Sequence, residues 1–243
     1  MAHPIAAIAT GLVRSGIGIL RMSGDGCIDL ANRVFALYNS QALSSLPDRK
    51  LTRGTLFDAQ NRPIDEAMVF VSHAPHSYTG EDTVEFQCHG SPAVLTAGLS
   101  ALLSNGFHQA GPGEFTKRAF LNGQMDLTQA EAVIDLIDAE TPAAARQAAG
   151  QLNGALSRQI DGIYSALTDL MAHFCAVLDY PDEDIDPFQA EQMGQILARQ
   201  EAALQALLAT SRRGTLLHQG ITCVLIGRPN AGKSSLLNAL AGY

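Results

Sequence analysis

The sequence predicts an α+β domain over residues 1–120, an α-helical bundle over 121–216 and, over 217–243, the first strand and phosphate-binding loop of a truncated α/β domain. Three observations carry this. Short β-branched runs alternate with helical-period stretches up to about residue 120. From Asp126 the apolar spacing becomes continuously helical. The end of the chain reads "ITCVLIGRPNAGKSSLLNALAGY" (221–243), a strand-like run, a glycine-rich turn and a helix start.

In the first part, "IAAIAT", "GIGILRM", "TRGTLF", "AMVFVS" and "TVEFQC" are expected as strands, being short, apolar or β-branched and separated by Gly, Pro, Asn or Asp. "CIDLANRVFAL" (27–37) and "PAVLTAGLSALLSNG" (92–106) are expected as helices, the second closed by Gly106.

In the second part, Asp126 with Gln129 three residues later forms a near capping box, and Ala130, Val133, Ile134 and Ile137 mark one helical face. Thr141-Pro142 starts another helix, with Thr as cap and Pro at the first turn. It is expected to run towards Leu178 with Leu152, Leu156, Ile160, Ile163, Leu167, Leu170 and Phe174 as its apolar stripe. "DYPDEDIDP" (179–187) breaks it, and a helix carrying Leu197, Leu204 and Leu208 follows to about Gly214. The run Asp179, Asp182, Glu183, Asp184 and Asp186 reads as a solvated loop supplying an N-cap, since consecutive carboxylates rarely converge on a metal without a dedicated turn.

In the third part, Gly227, Gly232, Lys233 and Ser234 fit G-x-x-x-x-G-K-[ST]. Glycines let backbone N–H groups close on phosphate oxygens, and the following helix adds positive potential. Asn230, Ala231, Gly232, Lys233, Ser234 and Ser235 are the expected nucleotide contacts, with Lys233 on the terminal phosphates and the Ser234 hydroxyl on Mg²⁺. Phosphoryl transfer also needs a second metal-holding carboxylate and a water-orienting residue, and the nine residues after Ser234 supply neither. The chain therefore reads as the N-terminal piece of a longer nucleotide hydrolase, without catalytic residues or hydrolysis of its own.

Composition narrows the class. The chain is 47% hydrophobic and 16% charged, with 24 acidic against 16 basic residues and a net charge of −8. A strong stand-alone nucleic-acid binder needs clustered Lys and Arg, and the pairs Lys117–Arg118 and Arg212–Arg213 offer modest, salt-sensitive affinity at best. Cys27, Cys88, Cys175 and Cys223 lie far apart with no C-x-x-C, which suits free thiols in a reducing compartment. "MAHPIAAIATGLVRSG" is a poor secretory signal, and no apolar run reaches the roughly 20 residues of a membrane helix. A cytoplasmic protein is expected.

The blocks "GIGILRMSG" (16–24), "SYTGEDTVEFQCHGSP" (77–92), "GPGEFTKRAFLNGQMDLTQAEAVIDLIDA" (111–139), "DYPDEDID" (179–186) and "GRPNAGKSSLLNALAG" (227–242) resemble, in this order, the tRNA-modification GTPase family MnmE (TrmE). The resemblance covers nearly the whole chain. It implies an N-terminal domain that binds a tetrahydrofolate derivative (5-formyl- or methylene-tetrahydrofolate) and forms a homodimer, then a helical domain into which a G domain is inserted. It implies GTP hydrolysis dependent on Mg²⁺ and K⁺. It also implies a heterotetramer with the flavoprotein MnmG that adds an aminomethyl-type group to C5 of the wobble uridine of certain tRNAs.

Arg21, Glu85 and Gln124 match the family's folate-contacting positions, although the third is a lysine in related chains. A guanidinium suits a carboxylate or carbonyl, and a glutamate accepts paired N–H bonds from an aminopyrimidine edge. Read without the resemblance, Arg21 and Glu85 are better explained as a surface Arg and a strand-end Glu in structural ion pairs. Glutamine at 124 cannot offset a ligand carboxylate. Asn230 matches the K⁺ ligand and Ser234 the Mg²⁺ ligand. "TGLVRSGIG" (10–18) keeps Arg14 and Gly16 but places Leu12 and Val13 in a turn that is usually Pro-Gly. His89 reads as a satisfied structural group, and none of the four cysteines takes the role of the family's reactive C-terminal cysteine.

Two other readings share parts of this pattern. A folate-dependent one-carbon transferase shares the α+β domain but not the phosphate loop. A dimerising helical scaffold with a vestigial loop conflicts with the intact Gly-Lys-Ser-Ser.

Overall fold

The computed structural model describes residues 3–180, 190–219 and 224–241. The chain forms two compact units, Met1–Val133 and Ile134–Tyr243.

The first unit is built on a seven-stranded mixed sheet in the order β3-β4-β5-β6-β2-β1-β7. Its strands are β1 (Ile5–Ile8), β2 (Ser15–Ser23), β3 (Phe35–Leu37), β4 (Thr52–Phe57), β5 (Pro63–Ser72), β6 (Thr83–Gly90) and β7 (His108–Gln109). β1 pairs with β7 in parallel, and the other neighbours are antiparallel. Side chains alternate between faces along each strand. Leu20 and Met22 of β2, Val84, Phe86 and Cys88 of β6, and Val69 and Val71 of β5 therefore all point into one core. That core is closed by α1 (Cys27–Ala31) and α2 (Pro92–Ser104) through Cys27, Ile28, Leu95 and Leu102. The approach of α2 is close. A Cβ at Gly98 would lie 2.6 Å from Leu20 Cδ1, which is why a helix interior carries glycine here. The residues between, including Arg21, Glu85 and Gln87, face the other way and keep contact with solvent.

The five expected strands are present. The helix expected over 27–37 is not. It stops at Ala31, and Phe35–Leu37 becomes β3, pairing Phe35 with Leu56 and Leu37 with Gly54. A short apolar run satisfies either period, and here the open edge of β4 decides it. α3 (Glu114–Leu121) and the short β7 are additional to the expected elements.

The thiols follow the packing. Cys27 and Cys88 are buried, while Cys175 is exposed. Burial first, then the carboxylates of Asp82 and Glu81, push the Cys27 thiol far above its ordinary value. Burial, with Asp65, pushes Cys88 up to about 12. The thiolate is the reactive species. At mildly alkaline pH an alkylating reagent is expected to modify Cys175 rapidly and to leave Cys27 and Cys88 untouched until the chain unfolds. Peptide mapping of the native protein checks this, and native labelling of Cys88 would contradict the burial.

The second unit is helical. α4 (Leu127–Ile137) enters it, and α5 (Pro142–Leu152), α6 (Ala155–Asp179) and α7 (Ala190–Gln219) pack on one another. The capping signals are realised. Gln129 N donates to Asp126 Oδ1 and Asp126 N to Gln129 Oε1, both at 2.9 Å. Ala144 N donates to Thr141 Oγ1 at 3.1 Å. The single helix expected from Pro142 to Leu178 is broken, because Gly154 turns left-handed (φ 73°) and starts α6 afresh. Its apolar stripe also divides. Ile163 and Leu170 are buried and Leu152, Leu156 and Leu167 half-buried, whereas Ile160 and Phe174 are exposed. The acidic run after Asp179 and the start at Asp186-Pro187 lie outside the described residues.

The run 221–226, expected as a strand, lies partly outside the described residues. Val224, Leu225 and Ile226 have no strand pairing, because a strand exists only against a partner ladder and no described segment supplies one. The helix after the loop, α8 (Lys233–Ala241), is formed. No described helix is long and apolar enough to cross a membrane.

Candidate functional site

Arg21 and Glu85 are directly opposed residues of β2 and β6. Arg21 Nε donates to Glu85 Oε1 at 2.6 Å, and both side chains are partly buried on the open face of the sheet. Two rings flank the guanidinium, Tyr78 at 5.6 Å and Phe115 at 5.8 Å from the ring centroids. Tyr78 comes from the turn after β5, and Phe115 from α3. The Tyr78 hydroxyl lies 3.0 Å from Thr116 Oγ1, which ties turn and helix together.

Among the described residues the two terminal amino groups of Arg21 have no hydrogen-bond partner, nor does Glu85 Oε2. A donor pair and an acceptor oxygen are thus left beside two aromatic rings. This arrangement fits a flat heterocycle with N–H edges and an acidic substituent.

Gln124 reaches the same turn by another route. A Cβ at Gly80 would sit 3.0 Å from Gln124 Nε2, so the amide lies against the glycine that makes the turn (φ 75°). Asn122 Nδ2 donates to Thr79 O at 2.7 Å from the same side.

Below the turn lies a group that sequence reasoning misassigned. Arg118 is 9% exposed. Its Nη1 bonds both Glu81 oxygens (3.3 and 3.0 Å), and its Nη2 bonds Glu114 Oε1 and the His3 carbonyl (2.9 Å each). Burial opposes its charge, yet the hydrogen bonds to Glu81 and Glu114 hold its pKa above the ordinary guanidinium value. Glu114 in turn is held below the usual carboxylate range by the Gly111 N–H and, against some burial, by Arg118. The adjacent Lys117 and Arg118 therefore do not form a basic surface pair, since two carboxylates consume the second member. Arg212 and Arg213 fall where side chains are not described. Tyr78, Phe115, Glu81 and Arg118 were missed as site residues because their signal is spatial. They stand 34 or more positions apart in two blocks whose turn chemistry says nothing about a shared neighbour.

His89 behaves as expected of a structural group. Its Nδ1 and backbone N both reach Asp65, at 2.7 Å each. Leu12 and Val13 are exposed in the turn before β2.

The second candidate site is the loop 227–235. Asn230 (φ 62°) and Gly232 (φ 79°) are left-handed, which curls the backbone into a concave turn before α8. Lys233 Nζ lies across this turn, 3.0 Å from Gly227 O and 2.8 Å from Arg228 O. Ser234 and Ser235 are exposed at the helix start, and Ala231 lies between the two left-handed residues. The curl and a lysine folded over it fit a polyphosphate, and the exposed Ser234 hydroxyl fits a Mg²⁺ ion beside it. Among the described residues no cluster of three His, Cys, Asp or Glu forms a metal site.

Fold and loop define a class: a P-loop protein whose nucleotide loop follows an α+β unit and a helical unit. The family model described as "GTP-binding protein TrmE N-terminus" matches residues 4–124, and "MnmE helical domain" matches 127–236. Proteins named tRNA modification GTPase MnmE are similar along the whole chain. The one from Thermus thermophilus is 48% identical over 242 residues (99% of this chain, 54% of the relative). Those from Akkermansia muciniphila and Aquifex aeolicus are 45% and 42% identical over 98% and 99% of the chain, and 53% and 52% of the relative. The chain belongs to the MnmE (TrmE) family of tRNA modification GTPases. It spans about half the length of the curated relatives it matches.

Proposed function

We propose that this chain serves tRNA modification as the folate-binding, dimerising and helical part of a GTPase. In that reading the parent protein works with the flavoprotein MnmG in a heterotetramer in the cytoplasm. The complex installs an aminomethyl-type group at C5 of the wobble uridine, with a tetrahydrofolate derivative as one-carbon donor and GTP, Mg²⁺ and K⁺ at the G domain.

The observation that carries the folate part is the Arg21–Glu85 pair between Tyr78 and Phe115, with the outer amino groups of Arg21 unbonded. Glu85 accepts from the ligand's N–H edge, and Arg21 takes a carbonyl or carboxylate oxygen. Gln124, at the Gly80 turn, adds a neutral hydrogen bond. When bound, the folate supplies the one-carbon unit. The protein's residues orient it and keep its polar edge paired. In the loop, Asn230 through its side-chain oxygen would hold K⁺ and Ser234 would hold Mg²⁺, with Lys233 turned from its own carbonyls to the phosphates. Titrating 5-formyltetrahydrofolate into the chain by calorimetry is the direct test, and no heat of binding at millimolar ligand would reject the folate reading.

The loop of this chain is expected to show no GTP turnover. Val224 and Ile226 are 75% and 91% exposed and unpaired, and Leu236, Leu237 and Leu240 of α8 face solvent. Among the described residues no sheet holds this loop, and without one its N–H groups are not kept aimed at the ligand. Phosphate release with millimolar GTP, Mg²⁺ and K⁺ should equal the protein-free blank, and release above it would show that the loop works unsupported.

A further inference from the structure

We propose that Arg118 is a positioning residue for the folate site: through Glu81 it fixes the turn 77–82, and through that turn it sets the Tyr78 ring over Arg21. The proposal rests on the folate reading above and deepens it.

The guanidinium joins three segments remote in sequence. Its four bonds reach the His3 carbonyl near the chain start, both Glu81 oxygens in the turn, and Glu114 in the first turn of α3. The grip on the turn continues beyond Arg118. Ser23 Oγ donates to Glu81 Oε2 and lies 2.7 Å from Thr79 Oγ1. Ser77 Oγ donates to Glu81 O, and Asn122, which caps α3, donates to Thr79 O. Residues 77, 79 and 81 are each held by side chains. Residue 78 is the one left facing outward, with its ring over Arg21 and its hydroxyl on Thr116.

A buried ion pair is a poor device for stability alone, because desolvation offsets most of the attraction. What a planar, multiply bonded guanidinium adds is geometry. Ser23, Ser77 and Asn122 also bond the turn, and Arg118 is the group that joins it at once to α3 and to His3. Thr79 is fully buried but polar, Gly80 is left-handed, and Tyr78 is 39% exposed. α3 thereby serves both functions at once. Phe115 and Thr116 meet Arg21 and Tyr78, while Glu114 and Arg118 clamp the turn beneath them.

The experiment uses the 243-residue chain and its variants Arg118→Lys, Glu81→Gln, Tyr78→Ala and the double variant Arg118→Lys/Tyr78→Ala. Calorimetry gives the Kd for 5-formyltetrahydrofolate, and amide hydrogen exchange of the ligand-free protein reads the turn. Arg118→Lys keeps the charge and loses the fork. It is expected to speed exchange across 77–82, leave β2 and α2 protected, and weaken binding about tenfold, the size of one partly desolvated cation–π contact. Glu81→Gln should act the same way, so a failure of one variant to fold leaves the other.

The decisive arm is the double variant. If Arg118 acts through Tyr78, Arg118→Lys weakens binding no further once Tyr78 is alanine. Additive losses, or an unchanged Kd in Arg118→Lys despite faster exchange, would overturn the proposal. Wild-type protein that binds no folate at all while Arg118→Lys still loosens the turn would instead reject the ligand reading, and this proposal with it.

Discussion

Replacing Glu85 by alanine is expected to weaken reduced-folate binding by about ten- to a hundredfold, since a hydrogen bond to a charged group contributes about 1.5–3 kcal/mol and each 1.4 kcal/mol is tenfold. Two losses add. The ligand's N–H edge loses its acceptor, and Arg21 loses the bond to Nε that holds its plane between Tyr78 and Phe115. Arg21→Ala removes the other half and should cost a similar factor. The pair straddles two adjacent strands and is partly exposed, so the fold itself should lose at most about 1 kcal/mol in either variant. Glu85→Gln is expected to fall between, because an amide offers one acceptor where the carboxylate offers two. Calorimetry with 5-formyltetrahydrofolate, beside thermal unfolding of the same samples, separates the two effects. Affinity unchanged in both alanine variants would remove these residues from the site.

The largest effect on stability is expected from Phe86→Ala, at about 3–5 kcal/mol, the range for deleting a buried aromatic side chain. Phe86 is fully buried in the middle of β6. It stacks on Phe35 with centroids 4.6 Å apart and 21° between planes, and lies across the ladder from Leu20 and Val69, both fully buried. The partners cannot collapse into the space, because Leu20 is pressed by α2 at Gly98 and Phe35 is anchored in β3 against β4. The loss therefore includes a cavity as well as transfer. Phe86→Leu keeps most of the volume and should cost under about 1.5 kcal/mol. Denaturant titration of both variants checks the ordering, and a Phe86→Ala cost below that of Phe86→Leu would contradict the packing.

How much was legible beforehand depended on how local each cause is. Capping boxes, strand alternation and the phosphate-loop spacing are decided by residues a few positions apart, so Asp126 with Gln129, Thr141 with Pro142, and Gly232 with Lys233 could be read directly from the sequence. Arg21 and Glu85 are singled out by blocks that resemble a known family, and the structure pairs them across β2 and β6. The misreadings share one physical origin. Phe35–Leu37 follows an apolar run that suits either period, and only the free edge of β4 makes it a strand. Gly154 inside a long helical pattern is tolerated in principle, and its left-handed backbone shows only in the fold. The stripe on α6 divides because packing among the helices buries Ile163 and Leu170 and leaves Ile160 and Phe174 exposed.

By itself the sequence determined the five expected strands of the sheet, the helix over Pro92–Ser104 and the capped helix starts at Asp126 and Thr141. Those outcomes rest on backbone propensity and short-range hydrogen bonds. The tertiary structure alone decided that Tyr78 and Phe115 flank Arg21. It also decided that Arg118 is a buried clamp on Glu81 and Glu114 instead of a surface charge beside Lys117. A charged side chain's role is set by what surrounds it after desolvation, and that environment is assembled from the chain start, the turn after β5 and α3, which no local pattern connects.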